Sequence, residues 1–355
     1  MTLTNEQKLC VFLSYLELSY KRNQEILNYF ETFENLKQNY SNEKQFLDSA
    51  YQKIEENIDK FNFDNFQKYC DNKKVIVLTQ DSDDYPQSLF SLSQPPLILY
   101  AKGDISLLKS KCFAIVGSRS VSFYGKDVTT KFAKGLSDCG FTIVSGLATG
   151  VDKIAHETTL ESNGKTIAVL GGGFEHMYPA ANIQLSEKIS QNGLLVTEYF
   201  PTTIPTAYSF PARNRIIAGL SKGVLITEAG AKSGALHTRD FAIEIGVDVF
   251  AVPGNITSSK SEGTNATIKS CQGACVTCLE DILNCYGIDK KVEKIKKVQL
   301  SFDEQIIFDM LADGDKTFEY IQEKTKMSTQ NLNTCLTTMQ IRGIIKKLPG
   351  NSYSA

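Results

Sequence analysis

The sequence lacks several features that would assign a protein class directly. It has no tryptophan, only three histidines in 355 residues, and no apolar run of about 18 residues that could form a transmembrane helix. The amino terminus, MTLTNEQKLC, does not show the basic and then apolar pattern of a signal peptide. We therefore expect a cytoplasmic protein with no membrane partner.

A strongly basic segment is also missing. Residues 1–110 carry 12 basic and 16 acidic side chains, residues 111–280 carry 15 and 14, and residues 281–355 carry 11 and 10. Because the net charge of −2 would not attract a polyanion, any site for one must be a local cluster of cations and backbone amides.

Nine cysteines without a secretory signal argue against a disulfide framework, and we expect most of them to be small core residues. Four of them, Cys271, Cys275, Cys278 and Cys285, have a spacing that iron–sulfur ligands also use. The segment is better explained as a strand, ACVT, flanked by helices than as a loop around a cluster. We therefore predict no bound metal and no cofactor.

Apolar periodicity divides the chain into four parts. Residues 1–72 have helical spacing and predict a small helical domain of the SAM-like type. In residues 73–286 short apolar runs alternate with helical segments, which predicts an α/β fold with a Rossmann-like, doubly wound, mostly parallel sheet. Residues 287–300 are Lys-rich and predict a linker. Residues 301–355 predict a winged helix, with a hairpin turn at PGN.

The predicted strands are VIVL and LILY at the edge of the sheet, followed by FAIV, FTIV, TIAVL, LLVTE, GVLIT, VDVFAVP and ACVT. In an open parallel sheet, ligands bind outside the carboxyl ends of the strands. The residues that directly follow each strand are therefore the candidates for a binding site.

Glycine, serine and arginine residues follow several of these strands. They are Gly117, Ser118 and Arg119 after FAIV, Ser145, Gly146 and Gly150 after FTIV, three glycines after TIAVL, and Ser233 and Gly234 after GVLIT. Glycine and serine permit close backbone approach, arginine supplies a planar cation, and helix N-termini offer free N–H groups to an anion. The second and third glycines of the dinucleotide fingerprint are absent. Together the loops predict an anion site at one edge of the sheet.

The segment SFPARNRII places Phe210 beside Arg213, Asn214 and Arg215. Single-strand binders use this combination, because an aromatic ring stacks on a base while arginines hold phosphates. Tyr208 is a second candidate for stacking. The alternative is that Phe210 lies in the core and that the arginines form structural ion pairs.

The central part of the chain resembles the DNA-processing protein A family, DprA or Smf. The matching stretches are DYPQSL, PPLILYAKGD, AIVGSRSVSFYG, IVSGLATGVDKIAH, TIAVLGGGFEHMYP, FPARNRIIAGLSKGVLITEA and SGALHT through VFAVPG. The resemblance implies sequence-independent, non-catalytic binding of incoming single-stranded DNA during natural transformation. It also implies a homodimer formed through the Rossmann-like domain and handover of the strand to the RecA recombinase.

The sequence departs from the family pattern at three places. Ala212 stands where the family motif PRRNRII has an arginine, SGALHT stands where the family has SGSLIT, and Ala180 stands where the family has the second proline of YPP. Phosphate contact could shift to neighbouring Lys153, Lys222 or Lys232. Individual contacts are therefore less securely transferred than the class of function.

The alternative function is a nucleotide-processing hydrolase, since Rossmann-like sheets also serve such enzymes. Glu228 is the best candidate for a base, although a role as a helix cap or an arginine partner is favoured. Asp152 and His156, four residues apart on one helix, could hold a metal, but no third ligand is evident. In the winged helix, the second helix TQNLNTCLTTMQ has no Lys or Arg, which favours a protein contact over duplex DNA.

Overall fold

The computed structural model describes residues 3–288, 300–312 and 314–354. Residues 1–290 form one compact unit and residues 291–355 form a second. The helical segment and the sheet therefore belong to one compact unit, and the predicted boundary between residues 72 and 73 falls in the last turn of a helix that ends at Lys73. Most of the predicted linker, 289–299, lies outside the described residues.

The amino-terminal segment is helical, as its periodicity predicts. Its helices are α1 (Asn5–Leu16), α2 (Tyr20–Phe30), α3 (Phe33–Asn39), α4 (Lys44–Leu47), α5 (Tyr51–Asn57) and α6 (Phe63–Lys73). Polar caps begin four of them; at α1, Thr4 and Gln7 form a reciprocal capping box. The helices share one apolar core with Ile98 and Tyr100 of the adjacent sheet, so they cover its edge.

The sheet of the larger unit has nine strands. They are β1 (Ile76–Thr79), β2 (Ile98–Gly103), β3 (Cys112–Val116), β4 (Thr142–Ser145), β5 (Thr166–Val169), β6 (Leu194–Thr197), β7 (Gly223–Ile226), β8 (Asp248–Ala251) and β9 (Ala274–Cys275). The order is β1-β2-β6-β5-β4-β3-β7-β8-β9. All neighbours from β6 to β9 are parallel, whereas β1 and β2 pair antiparallel, which confirms the mostly parallel sheet.

Helices cover both faces of this sheet. They are α7 (Phe123–Asp138), α8 (Val151–Glu161), α9 (Ile183–Asn192), α10 (Ser209–Leu220), α11 (Ala235–Glu244), α12 (Glu262–Lys269) and α13 (Leu279–Cys285). Alternate residues of β3 point to opposite faces. Ala114 and Val116 pack in one core with α10 and α11, while Phe113 and Ile115 pack in another with α7 and α8. The sheet is therefore doubly wound.

Strand β3 lies where the direction of winding reverses. After β3 the chain builds β4, β5 and β6 on one side, and it then returns through α10 to place β7 on the other side. The loops that follow β3 and β7 consequently diverge and leave a crevice at the carboxyl edge of the sheet.

The smaller unit contains α14 (Phe302–Ala312), β10 (Lys316–Thr317), α15 (Phe318–Thr325), α16 (Thr329–Ile341), β11 (Lys346–Leu348) and β12 (Ser352–Ser354). Its strands form a sheet in the order β10-β12-β11. The helices bury Ile307, Ile321, Leu332 and Leu336 in one core. These elements lie where the sequence predicts a helix-turn-helix and a hairpin.

The nine cysteines are free in the structure, and the prediction that most of them are core residues is wrong. Cys10, Cys70 and Cys112 are buried, whereas the four between positions 271 and 285 are exposed. Cys275 is exposed because β9 is a strand of two residues at the end of the sheet, and Cys278 and Cys285 lie at the two ends of the short helix α13. Within the described residues, no group of three His, Cys, Asp or Glu side chains is arranged to hold a metal. None of the described helices has the length and apolar character needed to cross a bilayer.

Candidate functional site

A cleft of about 580 Å³ opens at the carboxyl edge of the sheet, where the loops after β3 and β7 diverge. Its lining comes from the loops after β3, β4 and β7 and from the starts of α10 and α11. The lining residues are Val116, Gly117, Ser118, Arg119, Ser120, Ala148, Asp152, Phe210, Pro211, Arg213, Asn214, Ile217, Gly230, Lys232, Ser233, Gly234, Ala235 and Thr238. We call this the switch-point cleft.

The loop after β3 is fixed by backbone contacts to two neighbouring loops. The Ser118 amide donates to the Glu228 carbonyl at 2.7 Å, and the Val151 amide donates to the Ser118 carbonyl at 3.1 Å. A Cβ atom at Gly117 would lie only 2.7 Å from the same Glu228 carbonyl oxygen, so close packing requires glycine there. The loop thereby holds the exposed Arg119 at the mouth of the cleft.

The predicted residues after β4 support this loop and do not line the cleft. Ser145 is buried and donates to the Ile115 carbonyl at 2.7 Å. Gly150 has a positive φ of 79°, and a Cβ there would overlap the Ser118 carbonyl oxygen. The Gly146 carbonyl accepts a bond from Arg213. From their position after β4 alone, these three residues could not be recognised as supporting the loop and not as contacting a ligand.

Arg119, which is exposed, and Phe210, which is partly exposed, lie together in the cleft. The guanidinium carbon of Arg119 lies 5.6 Å from the centre of the Phe210 ring, within cation–π distance. The ring of Tyr178, which is half exposed, has its centre 5.3 Å from the centre of the Phe210 ring. Tyr208, two residues before Phe210 at the start of α10, is 87% exposed. The prediction omitted Tyr178, which follows the three-glycine loop after β5 and has no basic neighbour in sequence.

Arg213 reaches the cleft but is 4% exposed. One terminal nitrogen donates to the Gly146 carbonyl at 2.6 Å and also to the Val169 carbonyl, and Nε donates to Asn214 Oδ1 at 3.2 Å. Burial lowers the pKa of Arg213 to about 10, and the charge of the nearby Asp152 opposes this effect. Arg213 thus ties together the ends of β4 and β5.

The structure does not bring Arg215 to the switch-point cleft. Its two terminal nitrogens donate to the two carboxylate oxygens of Glu198 at 2.7 and 2.6 Å, and Nε donates to the Gln94 carbonyl at 3.0 Å. Arg215 instead lines a separate cleft beside α1 and β2. The contacts of Arg215 therefore agree better with a structural ion pair, the alternative considered from the sequence, than with a role in binding phosphate. Ala212, which precedes these arginines, is exposed on α10.

The start of α11 forms the opposite wall of the cleft. Asn214 donates from Nδ2 to the Gly234 carbonyl at 3.1 Å, which joins α10 to this loop beside Ser233. Lys232 is exposed on the same loop. Among the residues that the structure describes, neither Lys232 nor Arg119 forms an ion pair.

The other two lysines considered from the sequence lie elsewhere. Lys153 pairs with Glu157 at 3.6 Å on α8. Lys222 precedes β7 and lies at the amino edge of the sheet, where its amide bonds to the Cys112 carbonyl. Lys232 is therefore the lysine that the fold places beside Arg119.

Glu228 caps a helix, as predicted. Its two carboxylate oxygens accept bonds from the Ser122 amide, at 2.8 Å, and from the Ser122 hydroxyl, at the start of α7. Because both carboxylate oxygens already accept hydrogen bonds from Ser122, a structural role explains Glu228 better than a role as the base of a hydrolase. We find the carboxylate 3% exposed.

Asp152 and His156 are also used within the fold. Asp152 accepts bonds from the Gly146 and Ala148 amides at 3.1 and 3.3 Å, and burial raises its pKa against the opposing charge of Arg213. His156 bonds through Nδ1 to the Thr166 hydroxyl at 2.7 Å, and burial lowers its pKa to about 3. These contacts favour the structural interpretation of the pair over a metal site.

Comparison with known proteins identifies relatives along most of the chain. Residues 76–287 match the family model of DNA recombination-mediator protein A. The chain is 42% identical over 210 residues to the DNA processing protein DprA of Bacillus subtilis, covering 59% of this chain and 70% of that protein. It is 38% identical over 285 residues to protein Smf of Escherichia coli, covering 77% and 76%.

Two solved structures share the fold. DNA processing protein A from Streptococcus pneumoniae is 35% identical with a TM-score of 0.68, over 80% of this chain and 98% of that chain. A structure describing the unique single-stranded DNA binding mode of DNA processing protein A from Helicobacter pylori is 32% identical with a TM-score of 0.55, over 60% and 95%. On the extent of these matches, the chain belongs to the DNA recombination-mediator protein A family, whose members include DprA and Smf.

Proposed function

We propose that this protein binds single-stranded DNA at the switch-point cleft, without sequence preference and without catalysis. The observation that carries the proposal is the exposed guanidinium of Arg119 over the Phe210 ring, at the carboxyl edge of the sheet. The single-stranded DNA binding described for the Helicobacter pylori relative supports the same class of ligand.

Single-strand binding needs cations for phosphates and flat rings for bases. Arg119 and Lys232 supply cations that no carboxylate neutralises among the described residues. Phe210, with Tyr178 and Tyr208 nearby, supplies rings on which any base can stack. In this proposal the backbone of Gly117, Ser118, Ser233 and Gly234 approaches the strand, while Arg213 and Asn214 hold the walls in place.

The absence of catalysis in the proposal rests on how the acidic groups are used. Glu228 is bound to Ser122, and Asp152 is bound to two backbone amides. Both residues are also buried, whereas a nucleotide hydrolase would need a base that is open to water. Incubation with nucleoside monophosphates tests this point, because product formation would favour the hydrolase.

The decisive test is Arg119→Ala, measured by fluorescence anisotropy with a labelled oligothymidine at fixed salt. Loss of a charge-assisted contact should weaken binding by about 1–3 kcal/mol. Lys188→Ala is the control, because it removes one positive charge from an exposed site at the amino edge of the sheet. Identical binding curves for wild type and Arg119→Ala would remove Arg119 from the site.

Handover of the strand to RecA, homodimer formation and a role in natural transformation extend the proposal, and the family resemblance supports them. Light scattering on the full chain tests the dimer. Assembly of RecA on oligonucleotide precoated with a single-strand binding protein, with and without this chain, tests handover. Unchanged RecA assembly would restrict the proposal to DNA binding.

A further inference from the structure

The first turn of α7 presents two side chains that the fold does not use. Phe123 is the first residue of this helix, and its side chain is 77% exposed. An apolar ring that stays in water contributes little to folding, so stability does not explain a phenylalanine at this place. Lys126 is also exposed and lies near the positive end of the helix dipole, where a cation is unfavourable. Both residues therefore point to a role outside the folded core.

The charge of Lys126 is available to a ligand. Across the residues that the structure describes, Lys126 forms no ion pair, and the adjacent Asp127 pairs with Lys131 at 3.2 Å. The other acid of this region, Glu228, is buried, accepts two bonds from Ser122 and lies at the helix N-terminus, whose amides oppose its charge. The ammonium group of Lys126 can therefore contact a phosphate.

The ring and the cation lie together on one face of the helix. Phe123 and Lys126 are three positions apart on α7, a spacing that places their Cβ atoms about 5–6 Å from each other. The pair repeats the combination of Phe210 and Arg119 in the switch-point cleft, an aromatic ring beside an exposed cation. Single-strand binders use this combination for base and phosphate.

Hydrogen bonds on both sides of Phe123 hold the start of the helix in place. The Ser122 hydroxyl accepts a bond from the Gly125 amide at 3.0 Å, which caps the helix. The Tyr124 hydroxyl donates to the Pro253 carbonyl at 2.7 Å, which ties the first turn of α7 to the loop after β8. The exposed ring is thus presented from a backbone that is already fixed, which lowers the entropy cost of binding.

This surface continues from the switch-point cleft along the chain. Residues 117–120 line the cleft, and Phe123 follows three residues later. The four steps of chain from Arg119 to Phe123 span at most about 14 Å. At about 3.4 Å per stacked nucleotide, about four nucleotides cover this distance. A strand that leaves the cleft past Arg119 can therefore reach Phe123 within a few nucleotides.

We propose that Phe123 and Lys126 form a second subsite for single-stranded DNA, in which the ring stacks on a base and the ammonium group binds phosphate. We call it the α7 subsite. This inference rests on the proposed binding at the switch-point cleft and gives the strand a path, from Phe210 past Arg119 to the start of α7. Because every base can stack and every nucleotide carries phosphate, the α7 subsite has no sequence preference.

The first test compares oligothymidines of increasing length by fluorescence anisotropy. Wild-type affinity should rise at least about fivefold once the strand reaches both rings, as expected for one more base stacked on an aromatic side chain. Phe123→Ala should lose most of this gain. Phe302→Ala is the matched control, because Phe302 is also the first residue of a helix, α14, and is 82% exposed. An equal gain with length in wild type and Phe123→Ala would overturn the inference.

The phosphate contact is tested separately with Lys126→Ala. For long oligothymidines the slope of log affinity against log salt concentration should fall by about 0.7, as expected for one lost contact to a single strand. Lys126→Arg keeps the cation and should retain the slope. Lys188→Ala is the lysine control, and equal changes in Lys126→Ala and Lys188→Ala would exclude Lys126 from the subsite.

Photocrosslinking locates the bases on the unaltered protein. Oligothymidines carry a single 5-iododeoxyuridine at successive positions, and the crosslinked residues are identified by mass spectrometry. We expect crosslinks to Phe123 or Tyr124 from positions about four nucleotides or fewer from those that crosslink to Phe210. Crosslinks to Phe210 with none to Phe123 or Tyr124 at any position would contradict the path.

The failure of the two proposals can be distinguished. If wild-type protein binds no oligothymidine, the proposed function itself fails. If binding depends on Arg119 but is the same in wild type, Phe123→Ala and Lys126→Ala at every length, only the α7 subsite is excluded.

Discussion

The loop after β3 and the first turns of α10 both carry arginines beside small residues, yet they use these arginines in opposite ways. Arg119 is exposed and contacts an aromatic ring, with no ion pair among the described residues. Arg213 is buried against backbone carbonyls, and Arg215 is bound on both terminal nitrogens by Glu198. A cluster of arginines in sequence therefore does not identify which one is available to a ligand.

The difference follows from where each segment lies. The loop after β3 follows a central strand and turns outward, and backbone hydrogen bonds hold it in place. The side chain of Arg119 is therefore not needed for folding. Helix α10 crosses behind the ends of β4 and β5, whose last carbonyls need donors once they are buried. A guanidinium has five N–H donors and satisfies several acceptors at once.

The largest expected effect is on stability. Arg213→Ala would leave the Gly146 and Val169 carbonyls without this donor and open a cavity, so the free energy of unfolding should fall by about 2–5 kcal/mol. Arg119→Ala should change it by no more than about 0.5 kcal/mol, because the side chain is exposed. Urea unfolding of the full-length variants measures both. If the Arg213→Ala protein is stable and loses as much affinity for oligothymidine as Arg119→Ala does, then Arg213 contacts the ligand as Arg119 does, and the proposed difference between the two arginines is wrong.

The next effect concerns the ion pair between Arg215 and Glu198, whose side chains are 13% and 17% exposed. Glu198→Ala should reduce the free energy of unfolding by about 2 kcal/mol, since it leaves a largely buried guanidinium without its partner. The double variant with Arg215→Ala should cost less than the sum of the single changes. Additive costs in this double-mutant cycle would mean that the pair does not act as a unit.

A smaller effect separates the charge of Arg119 from its shape. Arg119→Lys keeps a cation but loses the planar donors above Phe210, so oligothymidine affinity should fall by about 1 kcal/mol. In a Phe210→Leu background the same change should matter less, because the ring is gone. Anisotropy titrations of the four proteins measure this coupling. Equal losses in both backgrounds would indicate that Arg119 and Phe210 act independently.

The smallest effect is expected for Lys232. Removal of one phosphate contact should reduce the slope of log affinity against log salt concentration by about 0.7 for a single strand. Titrations of Lys232→Ala over a range of salt concentrations measure this slope, with Lys188→Ala as the matched lysine control. If both variants change the slope equally, the effect is one of net charge and not of the cleft.

The strands of the sheet could be predicted from the sequence, because each short apolar run indicates a buried strand without reference to the rest of the chain. FAIV, FTIV and GVLIT became β3, β4 and β7, and the loops after β3 and β7 line one cleft, as expected for a doubly wound sheet. The boundaries of the domains at 72 and 300 stay predictions.

The roles of individual side chains could not be predicted in the same way. The partners of Arg213 lie 67 and 44 residues away, and the carboxylate that binds Arg215 lies 17 residues away on another element. Only the folded chain brings these groups together. The exposed cysteines near β9 show the same limit, because a strand at the end of a sheet resembles an internal strand in sequence.

The exposure of Ala212 affects which residues the chain can accept at position 212. Ala212 is exposed on α10, between Pro211 and Arg213 of the cleft wall. Its hydrogen bonds are made by the backbone: its amide donates to the Tyr208 carbonyl at 3.3 Å and its carbonyl accepts from Arg215 at 3.3 Å. An arginine at this position, as in the family motif, would add a charge beside the cleft without displacing a buried group. A substitution at position 212 can therefore change the charge beside the cleft independently of folding, whereas a substitution of Arg213 or Arg215 removes contacts that hold the fold together.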